Sequence, residues 1–485
     1  MADRLLRFKE RLIEKRYFRV AWLAKDSQIE SATESSLSEL PDDIAKALVA
    51  TIDKLPIHPR EQEVVLDALN EAIAQWRSRP HVAVNSMVLL GHPVSAVSRI
   101  VIDSLEQLET QAEEPQPINL LDWLERPPDM SSIQAQIEQT LVDRKKPGAA
   151  ADESADELTA QNLAVIPNLC WCFLRSAEGL DGVDYLRDSL LSDRTQFWII
   201  GSGQVGWEYL KATLKFHAYC GDTVSLPKLS GEELQDWLDP IVEQFEIRFQ
   251  ETALHKRFRD PESLKDLNIS FNKPIESLSE IAREIGAAVR SSLRTVKGEI
   301  LSDDAEAEKA SPKRDYFDRL ADLSNGVSIV ALQLFIKSIR YQEPEDSEEN
   351  AKDDAAKPKA LASKKRQYDS PSDKSQKQVS ADLDSNQTAP QKPQLIAAAP
   401  KLPTLPNFDQ SDLYLLYSIM LHDDLTIKAL AASLGDAPQV VNNQVQILRN
   451  AGIIEQEETV IKINPVHYPQ LQRELAKNNF MIEVP

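Results

Sequence analysis

Ser86-Met87-Val88-Leu89-Leu90-Gly91-His92-Pro93-Val94-Ser95-Ala96-Val97-Ser98 decides the fold. Its first five residues form a short apolar run that stops at Gly91, after which Ser98, Ile100, Val101 and Leu105 recur at helical spacing. A run of that length, closed by a glycine and followed by a helical pattern, reads as a buried strand turning into a helix. The unit repeats downstream. Ile118-Asn119-Leu120-Leu121 leads towards a helix through Ile133 and Ile137, and Leu163-Ala164-Val165-Ile166 is a third run after a loop near 146–158. Phe197-Trp198-Ile199-Ile200-Gly201 is a fourth, again leading into helix. Short apolar runs separated by helical patterns imply an α/β fold, a parallel sheet wrapped by helices.

Upstream, residues 40–79 carry two helical stretches with Pro56 and Pro59 between them. Residues 1–25 hold eight Lys/Arg against three acids, net +5, with Leu5, Phe8, Leu12 and Ile13 at helical spacing. This reads as a basic amphipathic helix, suited to the chain's own acidic body, to a membrane surface or to a partner. Downstream, 230–340 is mostly helical, with an acidic loop around 302–309. Residues 342–406 contain ten Lys/Arg, eleven Asp/Glu and eight prolines with almost no aromatic residue, and are expected to be a disordered linker. Order returns at 409–485. Leu413, Leu416, Ile419 and Met420 mark one helix, and Leu425–Leu434 and Pro438–Asn450 mark two more, the last stopping at Ala451-Gly452. Ile453-Ile454 and Val460–Ile463 can pair across the polar turn Glu455–Glu458, which completes the pattern of a winged helix-turn-helix. The expected division is 1–80 (helical), 81–230 (sheet core), 231–341 (helical lid), 342–406 (linker) and 407–485 (winged helix).

The 485 residues carry 55 Lys/Arg and 77 Asp/Glu, net −22, which excludes nonspecific coating of nucleic acid. Hydrophobic residues make up 42%, enough for a sizeable core. Cys170, Cys172 and Cys220 are odd in number and irregularly spaced, which fits buried thiols in a reducing compartment. His217 and Cys220 share a helical stretch, but nothing completes a metal site around them. Asp181, Asp184 and Asp188 read as a solvated helix face, and Trp171, Trp198 and Trp207 as core. No apolar run reaches the roughly 18 residues of a membrane span, so the expected location is cytoplasmic, at most peripheral to a membrane.

A strand, a glycine and a helix also make the setting of a phosphate-binding loop, whose pattern is G-x-x-x-x-G-K-[ST]. Its glycines let backbone N–H groups close on the phosphates, its lysine neutralises them and its hydroxyl holds Mg²⁺. Gly91 and Ser98 stand in register, but Ala96 replaces the second glycine and Val97 the lysine. The third run ends in Pro167-Asn168 where a nucleotide hydrolase carries acids, and the fourth carries Ser202 where a phosphate sensor would sit. Losing one partner of a buried charge pair costs about 2–5 kcal/mol.

On these residues, 86–340 resembles a P-loop ATPase of the AAA+/STAND type. Gln196–Ser202, followed by Trp207-Glu208-Tyr209-Leu210, resembles the sensor strand and its helix. Val224–Ser230 with Glu233-Leu234 resembles the turn into the helical lid, and Tyr316–Gly326 a lid helix ending in a glycine turn. Gly326-Val327-Ser328 departs from the Gly-Asn-Pro common there. A winged helix after the lid also fits that group. All departures lie on the nucleotide side, so the resemblance implies a pseudo-ATPase with no cofactor and no metal. Residual nucleotide contact would fall to Gly91 and Ser98.

The third C-terminal helix offers Gln439, Asn442, Asn443, Gln444, Gln446 and Arg449 to a partner or to base edges. Residues 405–485 nevertheless carry five Lys/Arg and ten Asp/Glu, which favours a protein over DNA. The leading expectation is therefore a non-catalytic scaffold or regulatory adaptor working through protein contacts, a related ATPase or an oligomer among them. The alternatives are a DNA-binding transcription regulator and a weak ATPase completed by a partner.

Overall fold

The computed structural model describes residues 37–79, 83–111, 118–121, 162–192, 196–250, 311–342 and 394–482, with Arg7, Ala135 and Ile137 besides. The basic segment 1–25 (Arg7 apart), the helix through Ile133, the loop at 146–158, the acidic loop at 302–309 and linker residues 343–393 lie outside the described residues.

Strand β1 (Leu37–Ser38) precedes helices α1 (Asp42–Ile52) and α2 (Pro59–Ser78). Pro59, expected between the two helices, is the first residue of α2, where a missing N–H leaves no bond unmade. His58 caps that turn, its Nδ1 accepting from the Arg60 N–H at 3.1 Å. Then follow β2 (Ser86–Gly91), α3 (Val97–Gln111), β3 (Ile118–Leu120), β4 (Asn162–Ile166), α4 (Asp181–Ser192), β5 (Gln196–Gly203), α5 (Gln204–Thr213) and β6 (Asp222–Ser225).

The last five strands form one sheet in the order β3-β4-β5-β2-β6, with every pairing parallel. Both faces are covered. Met87, Leu89, Leu163, Val165, Phe197 and Ile199 pack against α2 and α3 through residues such as Leu69, Trp76, Val101 and Leu105. Val88, Leu90, Ala164, Ile166, Trp198 and Ile200 belong to a larger core that runs on into the C-terminal helices. Burial on two faces explains why these strands read as continuous apolar runs instead of alternating ones. Trp171, Trp198 and Trp207 are all buried, as expected.

Next come α6 (Gly231–Gln244), β7 (Arg248–Phe249), α7 (Pro312–Ser324), α8 (Ser328–Ser338), β8 (Ile339–Gln342) and β9 (Gln394–Ala397). Ser230 and Glu233 close a reciprocal capping box at the start of α6. α7 ends on Asn325 and Gly326, both left-handed at φ 54° and 72°. The Gly326 carbonyl accepts from the Leu229 N–H at 2.9 Å, so the turns around 224–230 and 316–326 meet directly. Ser328, standing where the resemblance has proline, donates its hydroxyl to Glu61 Oε1 of α2 at 2.9 Å. Burial pushes the Glu61 carboxyl up to about 7, against the opposing effect of that hydrogen bond.

A second sheet, ordered β1-β8-β9-β7, ties the end of α8 to both flanking segments. It corrects the linker boundary: Gln394–Ala397, expected to be disordered, is a strand paired with β8 and β7, and Leu395, Ala397 and Ala398 are buried. Composition counted over the whole stretch masked the short apolar run Leu395–Ala399.

The chain closes with α9 (Gln410–His422), β10 (Asp424–Thr426), α10 (Ile427–Leu434), α11 (Pro438–Asn450), β11 (Ile454–Glu457), β12 (Val460–Ile463) and α12 (Tyr468–Lys477). Three strands pair antiparallel in the order β10-β12-β11. Leu425, expected in a helix, lies in β10, because Thr426 caps α10 by accepting from the Ala429 N–H at 3.2 Å. α12 is a further helix beyond the winged-helix pattern, and its buried residues Leu471 and Leu475 lie at helical spacing.

Candidate functional site

In an open parallel sheet, ligands bind beyond the carboxyl ends of the strands, where the strand order reverses. Here the chain leaves central β2 for edge β3, fills inward through β4 and β5, and then crosses to β6. The crevice therefore lies at Gly91, at Pro167-Asn168 after β4, and at Gly201–Gly203.

The loop after Gly91 is closed on itself. The Ser95 N–H bonds the His92 carbonyl at 2.8 Å and the Val97 N–H bonds the Ser95 carbonyl at 2.9 Å, while Pro93 has no N–H to offer. Amides that would face a phosphate are spent inside the turn. Val97 is buried, its Cγ2 against the Gly91 Cα hydrogens and its Cγ1 3.1 Å from where a Cβ on Gly201 would lie. Its branched side chain thus wedges between the tips of β2 and β5. Ser98 is buried too, and its hydroxyl donates to the Pro167 carbonyl at 3.2 Å. The two nucleotide-contact candidates are neighbours in space, but Gly91 makes room for Val97 and Ser98 ties α3 to β4. Ser202 lies within β5, longer than the run Phe197–Gly201 by three residues, and its hydroxyl donates to the Gly203 carbonyl at 3.2 Å.

The crevice is roofed by the chain's own C-terminus. His92 Nδ1 shares a 2.9 Å hydrogen bond with the Tyr468 hydroxyl, the rings meeting edge-on with centroids 5.5 Å apart. Burial, helped by the Lys228 charge, lowers the His92 pKa to about 4, so the ring is neutral. Asn168 Nδ2 donates to Asp423 Oδ2 at 3.1 Å, and Trp171 Nε1 donates to Asp424 Oδ1 at 3.1 Å. The Arg175 N–H donates to His422 Nε2, and its guanidinium bonds the Ser418 hydroxyl and the Ser433 carbonyl, each at 3.2 Å. A Cβ on Gly203 would come within 2.9 Å of the Asp423 Cγ, so glycine is needed for this approach. Asp423 itself has φ 64° and ψ −42°, a region rarely held by residues other than glycine.

α11 is the opposite case. Gln439, Asn442, Asn443 and Arg449 are exposed and Gln446 is half-buried, while Val441, Val445 and Leu448 form the inner face. Two apolar side chains also face solvent, Val440 at 53% and Ile447 at 65% exposure. Gln444 is partly covered, its amide donating to the Ser411 hydroxyl at 2.6 Å. Asp184 and Asp188 both pair with Arg187, and His217 lies in a short 3-10 turn. Among the described residues no group of three or more His, Cys, Asp or Glu is placed to hold a metal, and no helix is long and apolar enough to cross a membrane.

Sequence reasoning missed His92, Gly203, Asp423 and Tyr468. The consecutive acids Asp423-Asp424 between two helices were the available signal, Asp423 being half-buried and Asp424 buried.

No protein-family model and no curated protein matches the chain. Among solved structures it is similar to Cdc6p from Pyrobaculum aerophilum at 12% identity, covering 91% of this chain and 99% of that one, with a TM-score of 0.31. It is also similar to the Thermotoga maritima RuvB Holliday junction branch migration motor, at 11% identity over 89% and 97% of the chains with a TM-score of 0.26. A chain of the HORMA:CdnC:Trip13 complex from E. coli MS115-1 overlaps 48% of this chain and 84% of its own, at 14% identity and a TM-score of 0.29.

Proposed function

We propose that this chain is a non-catalytic relative of P-loop ATPases of the AAA+/STAND type, acting as a scaffold or regulatory adaptor through protein contacts. In this reading β2–β6 with α3–α5 are the ATPase-like core, α6–α8 the lid, and α9–α11 with β10–β12 a winged helix-turn-helix. One observation carries it: the space a bound phosphate would need is filled from within by Val97 and covered from outside by Tyr468 and Asp423. The loop amides at Ser95 and Val97 are already bonded, and Pro167-Asn168 supplies no carboxylate for a metal. A core kept intact while its chemistry is filled in retains shape for assembly, and the exposed side chains of α11 supply a surface for a partner.

The test is calorimetric titration of the full chain with MgATP, beside capture from native lysate with wild type and Ile447→Asp as bait. No nucleotide heat, together with a partner lost on Ile447→Asp, supports the adaptor. Saturable micromolar nucleotide binding would refute it. The DNA-regulator alternative separates cleanly, because only it requires a salt-dependent duplex shift weakened by Arg449→Ala.

A further inference from the structure

The first turn of α2 is where the helix covering one face of the sheet meets α6 and α8. Trp237 Nε1 of α6 donates to the Pro56 carbonyl at 3.2 Å, and its ring meets that of His58 edge-on with centroids 5.2 Å apart. His58 Nδ1 accepts the Arg60 N–H, and a ring nitrogen that accepts from a backbone amide carries no proton. The imidazole is therefore neutral, and its Nε2–H donates to the Glu233 carbonyl of α6 at 3.1 Å. Three residues on, Glu61 takes the Ser328 hydroxyl of α8 at 2.9 Å. Its neighbour Arg60 turns instead to Glu63 at 3.0 Å and to Glu233 at 4.0 Å, and among the described residues no lysine or arginine forms an ion pair with Glu61. A carboxyl buried without a counter-charge favours its protonated form. His58 and Glu61 are each only 4% exposed, so one seam holds two titratable groups, both docked as neutral species.

We propose that this seam is a pH-operated latch: α6 and α8 hold α2 while His58 and Glu61 are both neutral, and loosen when either gains charge. The proposal needs neither the crevice nor the nucleotide reading, so its failure leaves that reading untouched. Burial lowers the His58 pKa, outweighing Glu233 and Asp236 of α6, which favour the imidazolium. Burial likewise raises the Glu61 carboxyl to about 7, opposed by the Ser328 hydroxyl. The other charged groups at the seam are already engaged: Arg60 and Glu63 with each other on α2, and Arg99 of α3 with the Leu55 carbonyl at 3.1 Å and with Asp103 at 3.8 Å. The two groups set opposite limits. His58 contributes stability above 6.5 that is lost as pH falls through its lowered value, and Glu61 contributes stability full below 4.5 that is lost as pH rises through about 7. The latch is closed in mildly acidic solution and opens as pH passes neutrality.

Hydrogen exchange on the full chain, corrected for the intrinsic effect of pH on amide exchange, reads the latch in the first two turns of α2, α6 and α8. Wild type should open there about tenfold more often at pH ~8 than at pH ~6, the ratio given by a carboxyl raised from 4.5 to about 7, while β2, β4 and β5 stay protected. Glu61→Gln keeps the shape and an acceptor for Ser328 but cannot ionise, and should show the low opening of pH ~6 at both values. No rise in wild type, or the same rise in Glu61→Gln, overturns the proposal. Ser328→Ala removes the hydroxyl that favours the carboxylate, so the midpoint of the profile should move to higher pH. An unmoved midpoint also overturns it, because a packing role alone would leave the titration where it was. On the acid side, His58→Asn keeps a capping side chain without a titrating ring and should abolish the loosening at low pH. Acid loosening unchanged in His58→Asn would overturn the two-sided latch.

Discussion

The crevice above β2 and β5 and the outer face of α11 are opposite answers to one question, where this chain meets the rest of the cell. In the crevice three groups that could hold a ligand are bonded within the chain: Ser98 to Pro167, His92 to Tyr468, Asn168 to Asp423. On α11, Gln439, Asn442, Asn443 and Arg449 stay exposed, and Val440 and Ile447 stand in solvent. A buried polar site that satisfies itself adds stability and specificity of docking, whereas exposed apolar groups among amides add nothing to the fold. On the proposed reading, the difference teaches that the nucleotide crevice has become part of the architecture, and that recognition belongs to the surface.

The sharpest way to break this contrast is to force the crevice open. Gly203→Leu puts a side chain where Asp423 lies, and should cost about 3 kcal/mol in urea unfolding and expose 409–482 to protease. A wild-type midpoint would mean the C-terminal segment does not depend on this contact. Next in size is Glu61→Gln at the α2–α8 contact. A carboxyl raised from 4.5 to about 7 in the folded chain contributes stability that is full at low pH and lost as pH rises through that interval, levelling off above it. The variant should gain about 2 kcal/mol near pH ~8 and show a shallower pH slope. Glu455, also raised to about 7 by burial and by Glu457, keeps part of that slope. Equal slopes in both proteins would place the loss elsewhere.

A smaller effect is expected from Tyr468→Phe, which removes the hydroxyl bonded to His92 and should cost about 1 kcal/mol by thermal unfolding. His92 works in the opposite pH direction to Glu61. With its pKa lowered from 6.5 to about 4, it contributes stability above 6.5 that is lost as pH falls towards 4. An imidazole NMR signal titrating near 6.5 would contradict its burial under the roof. The smallest stability effect belongs to Ile447→Asp on α11, within about 0.5 kcal/mol of wild type, even as partner capture is lost. A large destabilisation there would show that the face is structural.

Much of this was legible because buried parallel strands write themselves as short apolar runs: Ser86–Gly91, Asn162–Ile166 and Gln196–Gly203 stand where such runs placed them. On the proposed reading Val97 is legible as a loss, since a lysine is the charge a phosphate loop needs. What stayed hidden was long-range. Nothing local to Asp423 or Tyr468 announces that they meet residues 168 and 92, because those contacts depend on how the last segment docks. β9 was hidden for a related reason: its four residues pair with strands whose neighbours lie far away in sequence.

The most direct test is calorimetric titration of full-length wild-type chain with MgATP, run beside Val97→Lys. A crevice filled by Val97 and roofed by Asp423 and Tyr468 should give no saturable heat up to ~1 mM nucleotide in either protein, because restoring one lysine leaves the roof in place. One-to-one binding at micromolar nucleotide by wild type would contradict the filled crevice outright.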